Sequence, residues 1–249
     1  MMQNTRKVAL VTGAARRIGA DIARILHQNE MNVVLHYNTS HVAAKQLCAE
    51  LNAIRDNSAS ILPANLSLKG DLIHLVDLAV GFWGRLDVLV NNASQFYKTP
   101  VGTVSEIVWD DLINTNLKAP FFLSQAALPH LAKHQGCIVN IADIHAERPM
   151  ADYSVYCISK AGLIMMTKSL AKEFGRAIRV NAVSPGPIIW PEKTNELSEE
   201  IKQKIIERTA LKREGSPNEV AKAVLYFVRD ADYVTGQVLT VDAGRSLFM

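Results

Sequence analysis

Short apolar runs alternate with longer amphipathic segments along the whole chain. The short runs have the length and the unbroken apolar character of strands that are buried on both faces of a sheet. They predict about seven strands, at Val8–Val11, Asn32–Leu35, Ser60–Leu62, Leu86–Val90, Cys137–Ile141, Ile178–Val183 and Gln237–Val241.

The segments between these runs repeat apolar residues at helical spacing, as Ile18, Ile22 and Leu26 do. Helices are predicted at Ile18–Gln28, His41–Ile54, Asp71–Trp83, Glu106–Lys133 with a kink at Pro120, Tyr153–Gly175, residues 192–208 and Asn218–Val228. Strand–helix alternation implies right-handed crossovers and a parallel sheet covered on both faces. We therefore predict an α/β fold, a doubly wound sheet of the Rossmann type. Because no linker or repeat interrupts residues 1–249, we expect one domain.

Composition excludes several classes of protein. The formal charge is only +3, and the 27 basic residues are spread along the chain, so we expect no nucleic-acid partner. No run of about 18 apolar residues is present, and no secretion signal is recognisable, so we expect no membrane partner. The three cysteines fit neither a disulfide framework nor a zinc site. We expect reduced thiols in the cytoplasm and no metal centre.

The turn after the first predicted strand reads T-G-A-A-R-R-I-G, from Thr12 to Gly19. Glycines there let the backbone turn tightly and approach a pyrophosphate at the amino end of a helix. Gly13, Ile18 and Gly19 are therefore candidate cofactor residues. Arg17 is a further candidate, since a cation at a helix N-terminus is unfavourable unless an anion lies nearby.

The end of the second strand bears on which dinucleotide is bound. An NAD site places an acid there, which accepts a hydrogen bond from the ribose 2′-hydroxyl. This chain has a segment without an acid: His36, Tyr37, Asn38, Thr39 and Ser40. Hydroxyl and amide donors, an imidazolium at His36 and the nearby Arg17 would suit a 2′-phosphate. The segment predicts NADPH, although an ordinary polar loop would look the same.

Tyr156 and Lys160 lie four residues apart at the start of a predicted helix. This spacing puts both side chains on one face of the helix. A nearby ammonium favours the phenolate, so Lys160 is expected to lower the pKa of Tyr156. Taken alone, such a pair often means only that a Tyr and a Lys share a helical face.

These features resemble the short-chain dehydrogenase/reductase superfamily over essentially the whole chain. The matching marks include N-N-A at 91–93, N-T-N-L around Asn116, R-V-N-A-V around Asn181, S-P-G at 184–186 and the closing T-G-Q-V-L-T-V-D-A-G. Four stretches are similar to the pteridine reductases, including their dihydromonapterin and dihydrofolate reductase-like members. These stretches are T-G-A-A-R-R-I-G, L-H-Y-N-T-S, N-N-A-S-Q-F-Y-K-T-P and I-V-N-I-A-D-I-H-A.

The resemblance implies a site and a reaction. Asp143 stands where most of the superfamily has a catalytic serine, and a carboxyl suits the protonation of a pterin ring nitrogen. Tyr156 would be the proton-relay phenol, Lys160 would also hold the nicotinamide ribose, and Asn116 would position Lys160 through water. The alternatives are a loop Asp143 that caps the following helix and a locally satisfied Asn116.

The resemblance also implies the contacts of the cofactor and the substrate. Phe96 would stack on a pterin against the nicotinamide, although a Phe packed under its loop is a competing interpretation. Ser94 and Arg17 would contact cofactor phosphate and pterin together. Trp190 would line the pocket or only anchor a substrate lid at residues 187–208. The remaining implied cofactor contacts are Asn65, Leu66, Asn92, Ala93, Pro185, Gly186 and Ile188.

The expected activity is NADPH-dependent reduction of dihydropterins, such as dihydrobiopterin or dihydromonapterin, with dihydrofolate as a further candidate. The alternatives are an NADPH-dependent carbonyl reductase, such as a 3-oxoacyl thioester reductase, and a non-catalytic NADPH-binding sensor. Two departures from the family pattern concern the cofactor: Asn65 replaces an acid that commonly contacts adenine, and Thr39 replaces a basic residue of the 2′-phosphate loop. The long helices at 106–133 and 153–175 resemble those that form the family's tetramer interface, so we expect a homotetramer.

Overall fold

Seven parallel strands form one sheet in the order β3-β2-β1-β4-β5-β6-β7. The computed structural model describes residues 6–67, 71–190 and 197–248. The strands are β1 (Val8–Val11), β2 (Asn32–Tyr37), β3 (Ala59–Pro63), β4 (Val88–Asn91), β5 (Cys137–Ile141), β6 (Arg179–Pro185) and β7 (Val238–Val241). The strand order reverses between β1 and β4, which creates a crevice at the carboxyl ends of these two strands.

Helices connect the strands and cover both faces of the sheet. They are α1 (Arg17–Gln28), α2 (His41–Ile54), α3 (Asp71–Gly81), α4 (Glu106–Ile113), α5 (Ala119–Ala132), α6 (Ser154–Phe174), α7 (Glu199–Glu207) and α8 (Pro217–Arg229). The predicted doubly wound fold is confirmed. The charged segment predicted as helical over 192–208 contains α7, while residues 191–196 lie outside the described part of the chain.

Alternating side chains divide the core into two layers. Along β1, Ala9 and Val11 pack in one layer and Val8 and Leu10 in the other, because successive strand residues point to opposite faces. The first layer is closed by α1, α2 and α8, and the second by α3, α5 and α6. The unbroken apolar runs of the sequence are explained by this burial on both faces.

The region predicted as one helix over Glu106–Lys133 consists of α4 and α5 joined by a π-helical segment, Asn114–Lys118. The predicted single helix is therefore interrupted close to Pro120. The irregularity lies in the turn before Pro120, because a residue without an N–H disrupts the hydrogen bonding of the preceding turn. Single π-helical turns are rare and frequently occur at functional sites. This one contains Asn116.

The three thiols, of Cys48, Cys137 and Cys157, are free. Within the part of the chain that the structure describes, no helix is long and apolar enough to cross a bilayer.

Candidate active site

Carboxyl ends of parallel strands meet at one edge of the sheet, and the candidate residues lie there. The turn after β1 packs beside the turn after β4, because β1 and β4 are neighbours. Asp143 follows β5, and Pro185 is the last residue of β6. Helix α6 then carries Tyr156 and Lys160 to the same edge.

The turns after β1 and β4 are held together by one threonine that the sequence analysis did not select. Thr12 Oγ1 accepts hydrogen bonds from the backbone N–H of Asn92 at 2.9 Å and of Ala93 at 3.0 Å. The Asn92 amide donates to the carbonyls of Thr12 and Gly13 at 2.8 and 3.1 Å. Thr12 could have been noticed as a hydroxyl residue directly after the first strand.

Gly19 has no room for a side chain. A Cβ at this position would lie 2.3 Å from the Gly13 carbonyl oxygen and 2.6 Å from the Asn92 amide nitrogen. Gly13 itself has a φ of +62°, in the left-handed region that favours glycine. Helix α1 begins here with no side-chain cap and no acid in its first turn. An uncapped helix start flanked by cations fits an anionic pyrophosphate.

His36 is not a cation, and the expectation of an imidazolium is wrong. Its ring is 1% exposed, and its Nδ1 accepts from the Gly13 N–H at 3.1 Å. The other ring nitrogen, Nε2, lies 3.1 Å from the Ala64 carbonyl oxygen and donates to it in the neutral tautomer that this arrangement requires. Burial lowers the pKa of His36 to about 4. The neutral His36 ring therefore stabilises the turn after β1 through its hydrogen bond with Gly13. It cannot supply a positive charge to a 2′-phosphate.

The rest of the segment after β2 divides into a buried and an exposed part. Tyr37 is buried, and its hydroxyl lies 2.7 Å from Nδ1 of His41. Asn38 and Thr39 are exposed and Ser40 is half-buried, so these three side chains remain available at the adenosine end of the crevice.

Arg16, the neighbouring cation in the turn after β1, was not among the predicted site residues. It is the exposed N-cap residue of α1, and the turn that carries it is hydrogen-bonded to β2, since the Ala14 N–H donates to the His36 carbonyl at 2.8 Å. The sequence has two adjacent cations in the turn.

Arg17 points towards the loop after β6. Its φ of +56° is in the left-handed region, and its guanidinium donates to the carbonyls of Ile189 at 3.3 Å and Trp190 at 3.0 Å. The expected role of Arg17 at a 2′-phosphate is therefore not supported. The contacts with the loop after β6 suit its other expected role, on the substrate side.

Asn65 and Leu66 follow β3 at the adenosine end. The Asn65 side-chain oxygen accepts from the Ser67 N–H at 3.0 Å, and Leu66 is buried. The Asn65 side chain therefore stabilises the turn after β3 in which it lies.

A hydrogen bond joins the two residues that the sequence analysis singled out as acid–base groups. The Tyr156 hydroxyl donates to Asp143 Oδ2 at 2.7 Å, and Asp143 Oδ1 accepts from the His145 N–H at 2.8 Å. The second contact shows that Asp143 also caps the short 3₁₀ turn Ile144–Ala146. The capping alternative and the catalytic interpretation are therefore both compatible with the geometry.

Lys160 does not bring the pKa of Tyr156 below its ordinary value, contrary to expectation. Burial, together with the charge and hydrogen bond of Asp143, raises the pKa of Tyr156 well above its ordinary value. The Lys160 ammonium is bonded to the Ile141 carbonyl at 2.9 Å and lies 5.7 Å from the centre of the Tyr156 ring. Burial lowers the pKa of Lys160 to about 8. Tyr156 is thus held as a protonated donor.

Asn116 connects two parts of the site. Its side-chain oxygen accepts from the Gln95 N–H at 2.8 Å and from the Ser94 hydroxyl at 3.2 Å. Its amide donates to the Gln95 carbonyl at 3.0 Å and to Ser159 Oγ at 3.1 Å. Ser159, another residue that the sequence analysis did not select, donates in turn to the Tyr156 carbonyl. Asn116 is not locally satisfied; it ties the turn after β4 to α6.

Phe96 lies within an aromatic cluster beside the phenol. Its ring stacks on Tyr153, with centroids 4.7 Å apart and planes inclined by 17°, and meets Tyr156 edge-on at 4.8 Å. The side chain is half-buried. Phe96 is therefore adjacent to the reacting groups, and one of its partners, Tyr153, was not foreseen.

The segment after β6 passes close to the end of β7. A Cβ on Gly186 would lie 2.5 Å from that of Asp242, so only glycine fits there. Pro185 and Ile188 are buried and Trp190 is half-buried. The Pro187 carbonyl accepts from the Gly215 N–H at 2.9 Å, which fixes the start of the predicted lid to the region after α7.

Comparison with known proteins assigns the class. A family model described as enoyl-(acyl carrier protein) reductase matches residues 13–246. The chain belongs to the short-chain dehydrogenase/reductase superfamily of NAD(P)H-dependent oxidoreductases.

Three relatives show the range of activities at similar identity. Pteridine reductase 1 of Leishmania tarentolae is 36% identical over 98% of this chain and 97% of its own. The granaticin polyketide synthase putative ketoacyl reductase 2 of Streptomyces violaceoruber is 38% identical over 96% of each chain. A 3-oxoacyl-(acyl-carrier-protein) reductase of Staphylococcus epidermidis is 36% identical over 96% of this chain and 98% of its own. Overall identity therefore does not choose between a pterin and a ketoacyl substrate.

The buried His36 predicts a loss of stability in acid. Its pKa falls from 6.5 in the unfolded chain to about 4 in the fold, so the unfolded state binds more protons between these values. The contribution of His36 is present above about pH 6.5 and is lost as the pH falls towards 4, by up to roughly 3 kcal/mol. Chemical unfolding of the wild type and of His36→Asn at several pH values measures it. The variant should lose this part of the pH dependence, and an identical pH dependence in both proteins would contradict the assignment.

Proposed function

We propose that this protein is an NADPH-dependent pteridine reductase, which reduces dihydropterins such as dihydrobiopterin or dihydromonapterin to the tetrahydro form. Dihydrofolate is a further candidate substrate. The observation that carries the proposal is the 2.7 Å hydrogen bond from the Tyr156 hydroxyl to Asp143 Oδ2.

The proposal depends on what each substrate needs from the residue after β5. A carbonyl that becomes an alkoxide needs a neutral donor, and a carboxylate there repels the developing charge. A pterin C=N bond needs a proton on its ring nitrogen when hydride arrives at the adjacent carbon. The Asp143 carboxyl, in contact with a protonated Tyr156 phenol, can pass that proton to the nitrogen.

The other side chains complete the site. When bound, the nicotinamide supplies the hydride. Lys160 is buried beside the Tyr156 ring and offers its ammonium both to the ribose hydroxyls and to the phenolate that forms after proton loss. Phe96 offers an aromatic surface next to Tyr156, on which a flat ring can stack. Arg17, Ser94 and Trp190 lie towards the same end and are proposed to contact the substrate.

The preference for NADPH is supported by the adenosine end of the crevice. No acid follows β2; exposed Asn38 and Thr39 and half-buried Ser40 stand there instead. Arg16, at the start of α1, supplies the cation that His36 cannot. Gly13, Ile18 and Gly19 are proposed to carry the pyrophosphate, and Pro185, Gly186 and Ile188 to lie along the nicotinamide carboxamide.

The second candidate is a ketoacyl reductase, which the relatives named as ketoacyl reductases favour. Asp143 argues against this activity, because its carboxylate would repel the negative charge that develops on the ketone oxygen. A non-catalytic NADPH-binding sensor has no need for both Tyr156 and Lys160.

A homotetramer is proposed for the assembly, in the reducing cytoplasm to which three free thiols are suited. Apolar side chains exposed on α4, α5 and α6 support an interface along these helices. They are Ile107, Trp109, Phe121, Phe122, Ile158 and Met165. Residues 187–208, held at Pro187 by Gly215, are proposed to act as a substrate lid on this one reductase domain.

Oxidation of NADPH should be observed with dihydropterins. The wild type is assayed with dihydrobiopterin, dihydromonapterin, dihydrofolate and an acetoacetyl thioester, and the pterins should be the best substrates. Tyr156→Phe should lower kcat for the pterin by about 10²-fold or more, because the proton donor is lost. Tyr233→Phe, which removes a fully exposed phenol, is the matched control and should behave as the wild type. Turnover of the thioester without turnover of any pterin would refute the proposal, and NADPH binding without any turnover would favour the sensor.

Arg16→Ala should weaken NADPH binding and leave NADH binding unchanged. Loss of a charge-assisted contact to the 2′-phosphate predicts an increase in Kd of about tenfold or more for NADPH alone. Fluorescence titration of both cofactors measures the two constants. Arg176→Ala is the control, because exposed Arg176 lies at the opposite edge of the sheet, before β6. Equal weakening of NADPH and NADH would contradict the assignment of Arg16.

A further inference from the structure

A buried threonine lies in an otherwise exposed loop beside the site. The loop is residues 94–103, here called the substrate loop because it carries Phe96. Thr99 is 2% exposed, while Lys98, Pro100, Val101 and Gly102 around it are exposed. A polar side chain buried in a surface loop requires partners, and Thr99 finds all of them in one segment.

Every polar group of Thr99 is bonded to residues 152–155. Its N–H donates to the Asp152 carbonyl, and its carbonyl accepts from the Ser154 hydroxyl at 3.0 Å. Its Oγ1 accepts from the Val155 N–H at 3.2 Å. Thr99 also forms an isolated parallel β-bridge with Tyr153. We call this set of contacts the Thr99 clasp.

The clasp supplies a missing helix cap. The first N–H groups of a helix have no partner within it and need an acceptor. Tyr153, the N-cap residue of α6, gives no side-chain cap. The hydroxyl of Thr99, from a distant part of the chain, accepts from Val155 in the first turn instead. Tyr156 is the next residue along that helix.

The clasp also holds a strained backbone. Asp152 has a φ of +63°, which is unfavourable for a residue with a Cβ. Its carbonyl receives the Thr99 N–H, so the contact that stabilises this conformation comes from the substrate loop.

The substrate loop is held on both sides of Phe96, and the Tyr97 hydroxyl next to Phe96 also donates to Asp111 Oδ2 at 2.7 Å. Asn116 holds its start by bonds to Ser94 and Gln95, and Thr99 holds it three residues beyond Phe96. In this arrangement the Phe96 ring stacks on Tyr153 and meets Tyr156 edge-on. Release of the clasp would loosen the loop beyond Tyr97 and free the start of the helix that carries the phenol.

We infer that Thr99 is a positioning residue, which caps α6 and sets Phe96 against Tyr156, so that substrate surface and proton donor are held as one unit. This inference uses the proposed site but does not depend on which substrate is reduced. It is therefore tested with whichever compound the wild type turns over, pterin or thioester.

The test compares Thr99→Val, which keeps the shape and removes the hydroxyl, with Thr99→Ser, which keeps the hydroxyl. Thr99→Val should lower kcat/KM about tenfold, as expected for a lost cap together with misplacement of Phe96. Thr99→Ser should stay within about twofold of the wild type. The Kd for NADPH should be unchanged in both, because the hydrogen bonds of Thr99 go to residues 152–155 and not to the turn after β1. Thr103→Val is the matched control, since Thr103 lies in the same loop and its hydroxyl bonds only locally, to the Pro100 carbonyl.

Amide hydrogen exchange gives a readout that needs no substrate. Exchange at Val155 should rise about fivefold or more in Thr99→Val and not in Thr103→Val. If Thr99→Val does not fold, Ser154→Ala removes one bond of the clasp and should lower kcat/KM about threefold. Three results would overturn the inference: wild-type kcat/KM in Thr99→Val or Ser154→Ala, Thr99→Ser as impaired as Thr99→Val, or a parallel loss of NADPH affinity.

Discussion

The hydrogen bond between Tyr156 and Asp143 is the interaction on which the rest of the site depends. It keeps a phenol protonated in a buried position, because a carboxylate beside it and the loss of solvent both oppose the phenolate. A protonated donor next to a carboxyl is suited to delivering a proton to a ring nitrogen. The same pair is poorly suited to holding the oxygen of a ketone, which would meet a negative charge. The proposed substrate class therefore rests on the residue after β5, whereas the superfamily rests on the family match over residues 13–246.

The fold keeps this pair in place from three sides. Strand β5 ends immediately before it, and the Ile141 carbonyl holds the Lys160 ammonium. The π-helical turn presents Asn116, which bonds both to the substrate loop and to Ser159, whose hydroxyl donates to the Tyr156 carbonyl. The Thr99 clasp holds the start of α6, where the Val155 N–H donates to Thr99 Oγ1. These contacts come from distant parts of the chain. The position of the Tyr156 phenol therefore depends on the packing of several segments at this edge of the sheet.

The sequence was sufficient for the fold, since apolar runs report burial, and its helical spacing placed Tyr156 and Lys160 on one face, as the structure has them. It was insufficient wherever the role of a residue depends on the direction of its side chain or on its burial. His36 seemed a cation because its burial cannot be read from its neighbours in sequence. Arg16 and Arg17 are adjacent cations, and only the structure shows that the Arg17 guanidinium turns to the loop after β6. Thr99 was overlooked because its partners lie more than fifty residues away.

We propose that Asp143 selects a pterin over a ketone, and the variant Asp143→Ser is the sharpest probe of this role. The measurement is the ratio of kcat/KM for dihydrobiopterin to that for an acetoacetyl thioester, in the wild type and in the variant. We predict that the ratio falls by about 10²-fold or more, because the variant loses the carboxyl that protonates the ring nitrogen and gains a neutral donor for a ketone oxygen. An unchanged ratio, with full pterin activity in Asp143→Ser, would show that Asp143 does not select the substrate.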